Sequence, residues 1–196
     1  MIRSEKTRNF IIEKTAAIFN KKGYTGTYLS DLTEATGLSK GSIYGNFKDK
    51  NEVAVEAFKC NYQRQAGDVY SKMEQIERSD EKLLSLLNHF KTEYIPIFKN
   101  GGCAILNTAI DADDGNESLK LEVNNALKNW RSKTEEILKE GIQKEEIKEI
   151  DVRHFTNKMI ALIEGSILLA KTLDEPQILL QNISSLESDI KKLRKE

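Results

Sequence analysis

The stretch Thr27-Tyr28-Leu29-Ser30-Asp31-Leu32-Thr33-Glu34-Ala35-Thr36-Gly37-Leu38-Ser39-Lys40-Gly41-Ser42-Ile43-Tyr44-Gly45-Asn46-Phe47-Lys48-Asp49-Lys50 decides how this chain reads. It holds two short helical segments parted by a glycine. Thr27 is placed as the hydroxyl cap of the first, which ends at Gly37, and the second runs from Ser39 to Tyr44. Leu29, Leu32 and Ala35 recur at helical spacing and are expected to pack against Ile43 and Phe47. Gly37 supplies the positive φ of the corner without a Cβ penalty. Two helices joined in this way form a helix-turn-helix, whose second helix lies in the major groove of DNA. Lys40 sits in the first turn of that second helix, at the positive end of its dipole, where an acid would be more stable. Lys50 repeats the pattern at the start of the next helix. Such lysines weaken a helix slightly but suit a phosphate, because N–H groups and ammonium point at one anion. Ser39, Ser42 and Tyr44 add hydroxyls, and Gly41 permits close approach of the backbone. The same features also fit a plain helical hairpin with surface lysines, so spacing alone leaves both readings open.

Outward from this segment the chain reads as all-α, with about nine helices and no useful run of period-two alternation. The first covers about 4–22, with Phe10, Ile11, Thr15, Ile18 and Phe19 on one face and Gly23 as its stop. Asp49-Lys50-Asn51-Glu52 has the spacing of a capping box and opens a long helix to about Glu77. The fifth starts at Ser79 and is expected to stop near Pro96. Gly101-Gly102 turns into a sixth from Cys103 to about Ala112. The seventh spans Asn116 to Gly141, the eighth follows an Asp151 cap to about Thr172, and the ninth begins near Pro176 and reaches Leu193.

Composition sets the class. With 39% hydrophobic and 31% charged residues over 196 positions, the sequence is that of a soluble globular protein, and no apolar run approaches the roughly 20 residues needed to span a bilayer. The start, Met1-Ile2-Arg3-Ser4-Glu5-Lys6, lacks the apolar core of a signal peptide, and two cysteines make no disulfide framework, so a cytoplasmic setting is expected. Charge is uneven. Residues 1–50 carry nine Lys/Arg against five acids, leaving 21 against 26 for the remainder. A basic head on an acidic body suits a protein that meets a polyanion at one end. His89 and His154 are isolated from other ligands at metal spacing, so no metal site is expected. No paired carboxylates, nucleophile-base set or phosphate loop is recognisable, so the chain is not read as an enzyme, and no cofactor is expected.

The run Gly23-Tyr24, Thr27, Leu29, Asp31-Leu32, Ala35, Gly37-Leu38-Ser39-Lys40-Gly41-Ser42-Ile43-Tyr44 and Phe47-Lys48-Asp49-Lys50 resembles the DNA-binding domain of the TetR/AcrR family of transcriptional regulators. Ile11-Ile12, Phe19 and Lys22 fit the first helix of that domain. The resemblance implies a DNA-binding head over 1–50 and a ligand-binding and dimerisation body over 51–196. It implies that Thr27, Ser39, Ser42, Tyr44 and Lys50 lie on or near phosphates. Lys40 and Gly41 would then face the groove, with Asn46 at the helix end. Ser30 stands where many relatives place a long polar side chain, and Asn46 where histidine is common, so base preference is not carried over.

For the body, the family implies a homodimer through helices 8 and 9 and a small-molecule effector held among helices 4 to 8. Helix 8 is apolar on more than one face (Phe155, Met159, Leu162, Ile163, Ile167, Leu168), with Gly165-Ser166 as a small patch, and helix 9 repeats apolar residues from Ile178 to Leu193. Effector-pocket candidates are Tyr62, Phe90, Tyr94, Phe98, Cys103, Asn107 and Trp130, each of which also fits ordinary packing. Cys103 follows Gly101-Gly102 in the first turn of helix 6, where a helix N-terminus favours thiolate. The segment Gly102–Asn107 also resembles a subgroup of these regulators with Gly-Cys at this point. The expected function is therefore a repressor that leaves its palindromic operator when an effector binds. The alternatives are a DNA-associated structural factor controlled by a protein partner, or a thiol-based sensor through Cys103.

Overall fold

The computed structural model describes residues 3–195 as nine helices, without strands among the described residues. They are α1 (Arg3–Lys22), α2 (Leu29–Thr36), α3 (Lys40–Tyr44), α4 (Lys50–Glu74), α5 (Ser79–Lys99), α6 (Ala104–Ala112), α7 (Glu117–Gln143), α8 (Val152–Thr172) and α9 (Pro176–Leu193). No helix among the described residues is long and apolar enough to cross a membrane.

The chain forms two compact units, and neither is continuous in sequence. The first takes residues 1–64 and 100–126, the second 65–99 and 127–196. Thus α6 and the start of α7 belong with α1–α3 and the first part of α4.

In the first unit Ile11, Leu32, Ile43 and Phe47 are buried, as expected of a helix-turn-helix core. On α1 the buried stripe is Ile11, Thr15, Ala16, Phe19 and Asn20, whereas Phe10 lies on the rim with Lys14 over its ring. Gly37 has φ +68° and its N–H donates to Thr33 O at 2.8 Å, closing α2. Asp49 caps α4 by accepting from Glu52 N–H at 2.9 Å. The return bond of the box runs from Lys48 N–H to Glu52, at 2.6 Å.

In the second unit α9 packs against α8 and α5. Leu83, Met159, Ile163, Leu179, Ile183 and Leu186 form part of its core. Asp151 caps α8 through His154 N–H at 2.9 Å, and Pro176 opens α9. The end of α9 and the residues after it clasp the α7–α8 connection: Lys148 N–H donates to Leu193 O (2.8 Å) and Lys195 N–H to Glu146 O (2.9 Å). Arg194 pairs with the fully buried Asp80 at the start of α5, and Arg78 supports the same carboxylate at 3.0 Å.

Two expected stops differ. Pro96 lies inside α5, which continues to Lys99. Proline removes one N–H and crowds the preceding turn, yet packing of the flanking helix outweighs that loss here. Gly141 lies inside α7, where a Cβ would meet Ile147 and Ser79 at 2.6–2.9 Å. The left-handed residue that ends the helix is Glu145, φ +59°.

Candidate nucleic-acid interface

Ser39 begins α3 with extended backbone, and its Oγ accepts from Ser42 N–H at 3.2 Å. With Ile43 fixed in the core beneath, the helix turns Ser39, Lys40 and Gly41 outward as exposed residues. Ser42 and Tyr44 are half-buried on the same short helix. A lysine, hydroxyls and an unobstructed glycine therefore share the outer side of a helix whose inner side is apolar. That arrangement can meet phosphates and base edges.

Three expected phosphate or groove residues serve the protein itself. Thr27 is fully buried, and its hydroxyl donates to Gly23 O at 2.6 Å. It bonds back to the preceding turn instead of capping α2, so Tyr28 is the cap residue and Asp31 accepts Tyr28 N–H at 2.8 Å. Asn46 donates its amide to Ser42 O at 2.8 Å, satisfying a carbonyl at the end of α3. Lys50 donates to Tyr24 O and Thr27 O, both at 2.9 Å, and its ammonium stands 4.1 Å from the centre of the Tyr24 ring.

Two residues went unread in the sequence. Tyr28 is 68% exposed at the N-terminal end of α2, a large aromatic outside the core. Its signal was an aromatic at a helix start with no apolar position to fill. Arg8 of α1 donates to Asn46 O (2.8 Å), pairs with Glu52 (2.8 Å) and lies 4.2 Å above Phe47. It fixes the end of α3 to α1 and α4. The Lys48 N–H bond, and then Arg8, hold the Glu52 carboxyl below the usual glutamate range.

The effector candidates divide between the units. Tyr62, Cys103 and Asn107 lie in the first, and Phe90, Tyr94, Phe98 and Trp130 in the second. Phe90 stacks on Trp130 at 6.3 Å, and Tyr94 meets Phe98 edge-on at 5.7 Å. Tyr62 stacks on Phe58 at 6.3 Å. Cys103 is buried and precedes α6 as its cap residue, not in its first turn. None of the seven lines the open groove of about 240 Å³ in the second unit, formed by Tyr70, Met73, Lys82, Lys133, Ile137 and neighbouring glutamates. There the Lys133 ammonium lies 3.8 Å from the centre of the Tyr70 ring.

Comparison with known proteins fits this geometry. Residues 11–57 match the family described as bacterial regulatory proteins, tetR family. Residues 81–186 match the tetracyclin repressor-like C-terminal domain. A TetR-family regulator from Cytophaga hutchinsonii has a crystal structure similar over 100% of this chain and 98% of its own, with 38% identity and a TM-score of 0.94. Among characterised relatives, the transcriptional regulator LmrA of Bacillus subtilis is 27% identical over 95% of this chain and 97% of its own. The fatty acid metabolism regulator protein of the same organism is 24% identical over 80% and 79%.

Proposed function

The chain belongs to the TetR family of DNA-binding transcriptional regulators, and from that premise we propose that it acts as a dimeric repressor released from a palindromic operator by a small effector. The observation that carries this reading is α3, with Lys40 and Gly41 exposed over a buried Ile43. Residues 1–50 supply the DNA contacts. Ser39, Lys40, Gly41, Ser42 and Tyr44 meet the groove and its phosphates, and Tyr28 adds a contact at the start of α2. Thr27, Asn46 and Lys50 act by holding that surface in shape. Residues 51–196 supply dimerisation and effector binding.

The dimer forms through α8 and α9. Leu168, Leu169 and Leu173 are exposed on and just after α8, and the position of a Cβ on Gly165 is open. A partner helix covers this apolar face, and two-fold symmetry sets two recognition helices about 34–36 Å apart, one turn of B-DNA. Effector binding weakens operator affinity because the effector prefers the DNA-incompetent state, and α4, with residues in both units, is the element that tilts. The transcriptional regulator FadR of Bacillus subtilis, 23% identical to this chain, has been crystallised with stearoyl-CoA, which puts acyl-CoA thioesters first in an effector panel.

The test is selection of bound sites from random duplex DNA, with the enriched site titrated at two salt concentrations. A palindrome bound by a dimer is expected. Salt-sensitive binding without an enriched sequence would replace the repressor reading with that of a structural DNA-associated factor.

A further inference from the structure

The loop between α1 and α2 is held by two opposite charges that read opposite backbone groups. From α4, Lys50 takes the carbonyl oxygens of Tyr24 and Thr27, at 2.9 Å each. From α6, the Asp111 carboxylate takes N–H groups, accepting from Tyr24 and from Thr25, the latter at 3.3 Å. One turn earlier on α6, Asn107 donates its amide to Asn20 O (3.0 Å) at the end of α1 and to Gly101 O (3.0 Å). Asn20, itself 4% exposed, donates to Asn100 O (2.6 Å) and Gly102 O (3.2 Å). The approach is close enough to need glycine on both sides. A Cβ on Gly23 would lie 3.0 Å from the Asp111 carboxylate, and one on Gly101 would lie 2.9 Å from Asn20 O.

We propose that Asp111 and Asn107 are positioning residues for the DNA-binding surface, fixing the end of α1 and the following loop and through them the N-terminal end of α2 that presents Tyr28. Directional amide and carboxylate bonds in a half-buried seam specify one geometry, because a slip breaks several of them at once. The loop is six residues long, from Gly23 to Tyr28, and its Tyr24 N–H and O, Thr25 N–H and Thr27 O are engaged. A displacement of α6 therefore shifts the start of α2 with it. Neither Asp111 nor Asn107 needs to touch DNA. The inference rests on the DNA-binding reading for one of its two readouts only.

The first readout is hydrogen exchange on the full-length protein carrying Asp111→Ala or Asn107→Ala. Exchange over Tyr28–Thr36 is expected to rise about tenfold or more in both, the scale of losing a hydrogen bond to a charged or buried group. Peptides from α8 and α9 should stay unchanged. A purely local role would speed exchange at Tyr24 and Thr25 alone and overturn the proposal. The second readout is affinity for a random-sequence 30-base-pair duplex at low salt. Asp111→Ala removes a negative charge, so electrostatics alone would tighten binding to a polyanion. Positioning predicts the opposite sign, roughly a fivefold or greater loss, equivalent to one hydrogen bond of ordinary strength. Asp111→Asn, which keeps an acceptor oxygen, restores binding. Tighter or unchanged binding in Asp111→Ala and Asn107→Ala would overturn it. If Asp111→Ala fails to fold, Asn107→Ala and Asp111→Asn decide the matter. If the wild type binds no duplex, the DNA-binding reading fails while the exchange readout still judges the seam.

Discussion

The ammonium of Lys50 has two carbonyl partners and an aromatic face beneath it, so its removal is felt inside the protein. Lys50→Met is expected to lower the unfolding free energy by about 2 kcal/mol, the range for hydrogen bonds from a charged group, and urea titration checks it. Tyr28 behaves in the reverse manner. Being 68% exposed, its replacement by alanine should leave stability within about 0.5 kcal/mol and weaken binding to every duplex tested. Lys40→Ala should change which sequences are enriched from a random pool. An equal loss on all sequences with a shallower salt slope would place Lys40 on phosphate alone. Asp31 gives a pH signature. Its bond from Lys22 (2.7 Å), then the Tyr28 N–H, hold its carboxyl below the usual aspartate range. A depressed folded pKa means stability present at neutral pH and lost as pH falls below about 4 toward the folded value. Asp31→Asn should therefore flatten the acid limb of a stability–pH curve, and an unchanged limb would refute the assignment.

At the level of helices, the two informative glycines differ in what they avoid. Gly37 has open space where a Cβ would sit but a φ of +68°, so alanine there costs about 1–2 kcal/mol of backbone strain. Gly141 meets Ile147 and Ser79, so alanine there overpacks the second unit by about 1–3 kcal/mol. Calorimetry on the two variants, with duplex binding alongside, should show both melting earlier and only Gly37→Ala altering DNA affinity. These helices also show what a sequence reveals. Gly37, Asp49, Asp151 and Pro176 were readable because a cap or a turn is settled within a few residues. Pro96 and Gly141 misled, because a stop signal yields when the helix on both sides is packed. Thr27 misled differently: one hydroxyl can cap forward or bond back to the turn behind, and only the folded path of the chain chooses. The outward side of α3 was legible from Ile43 and the resemblance. The Asn20–Asn107 bond was not, since its partners lie 87 residues apart with no periodic signal to join them.

Across the whole molecule, the apolar exposure on and after α8 carries the assembly prediction. Leu169→Glu with Leu173→Glu should give monomers by sedimentation at concentrations where the wild type is dimeric, and should lower affinity for a palindrome far more than for a single half-site. The C-terminal clasp has its own test, because Asp80 is buried and loses one of its two arginine partners when Arg194 is removed. Arg194→Ala, although Arg78 still supports Asp80, should lower the melting temperature and free Lys195 for exchange. The discontinuity of the first unit has a consequence for synthesis. Residues 1–64 emerge from the ribosome well before 100–126, which complete the same unit. At about 5–20 residues per second, translation of the intervening 35 residues, 65–99, takes roughly 2–7 s. Throughout that interval the nascent head lacks α6, and with it the acceptor for Tyr24 N–H. Folding of the DNA-binding end is thus paced by translation of the middle of the chain, and a stall between residues 64 and 126 would hold it incomplete.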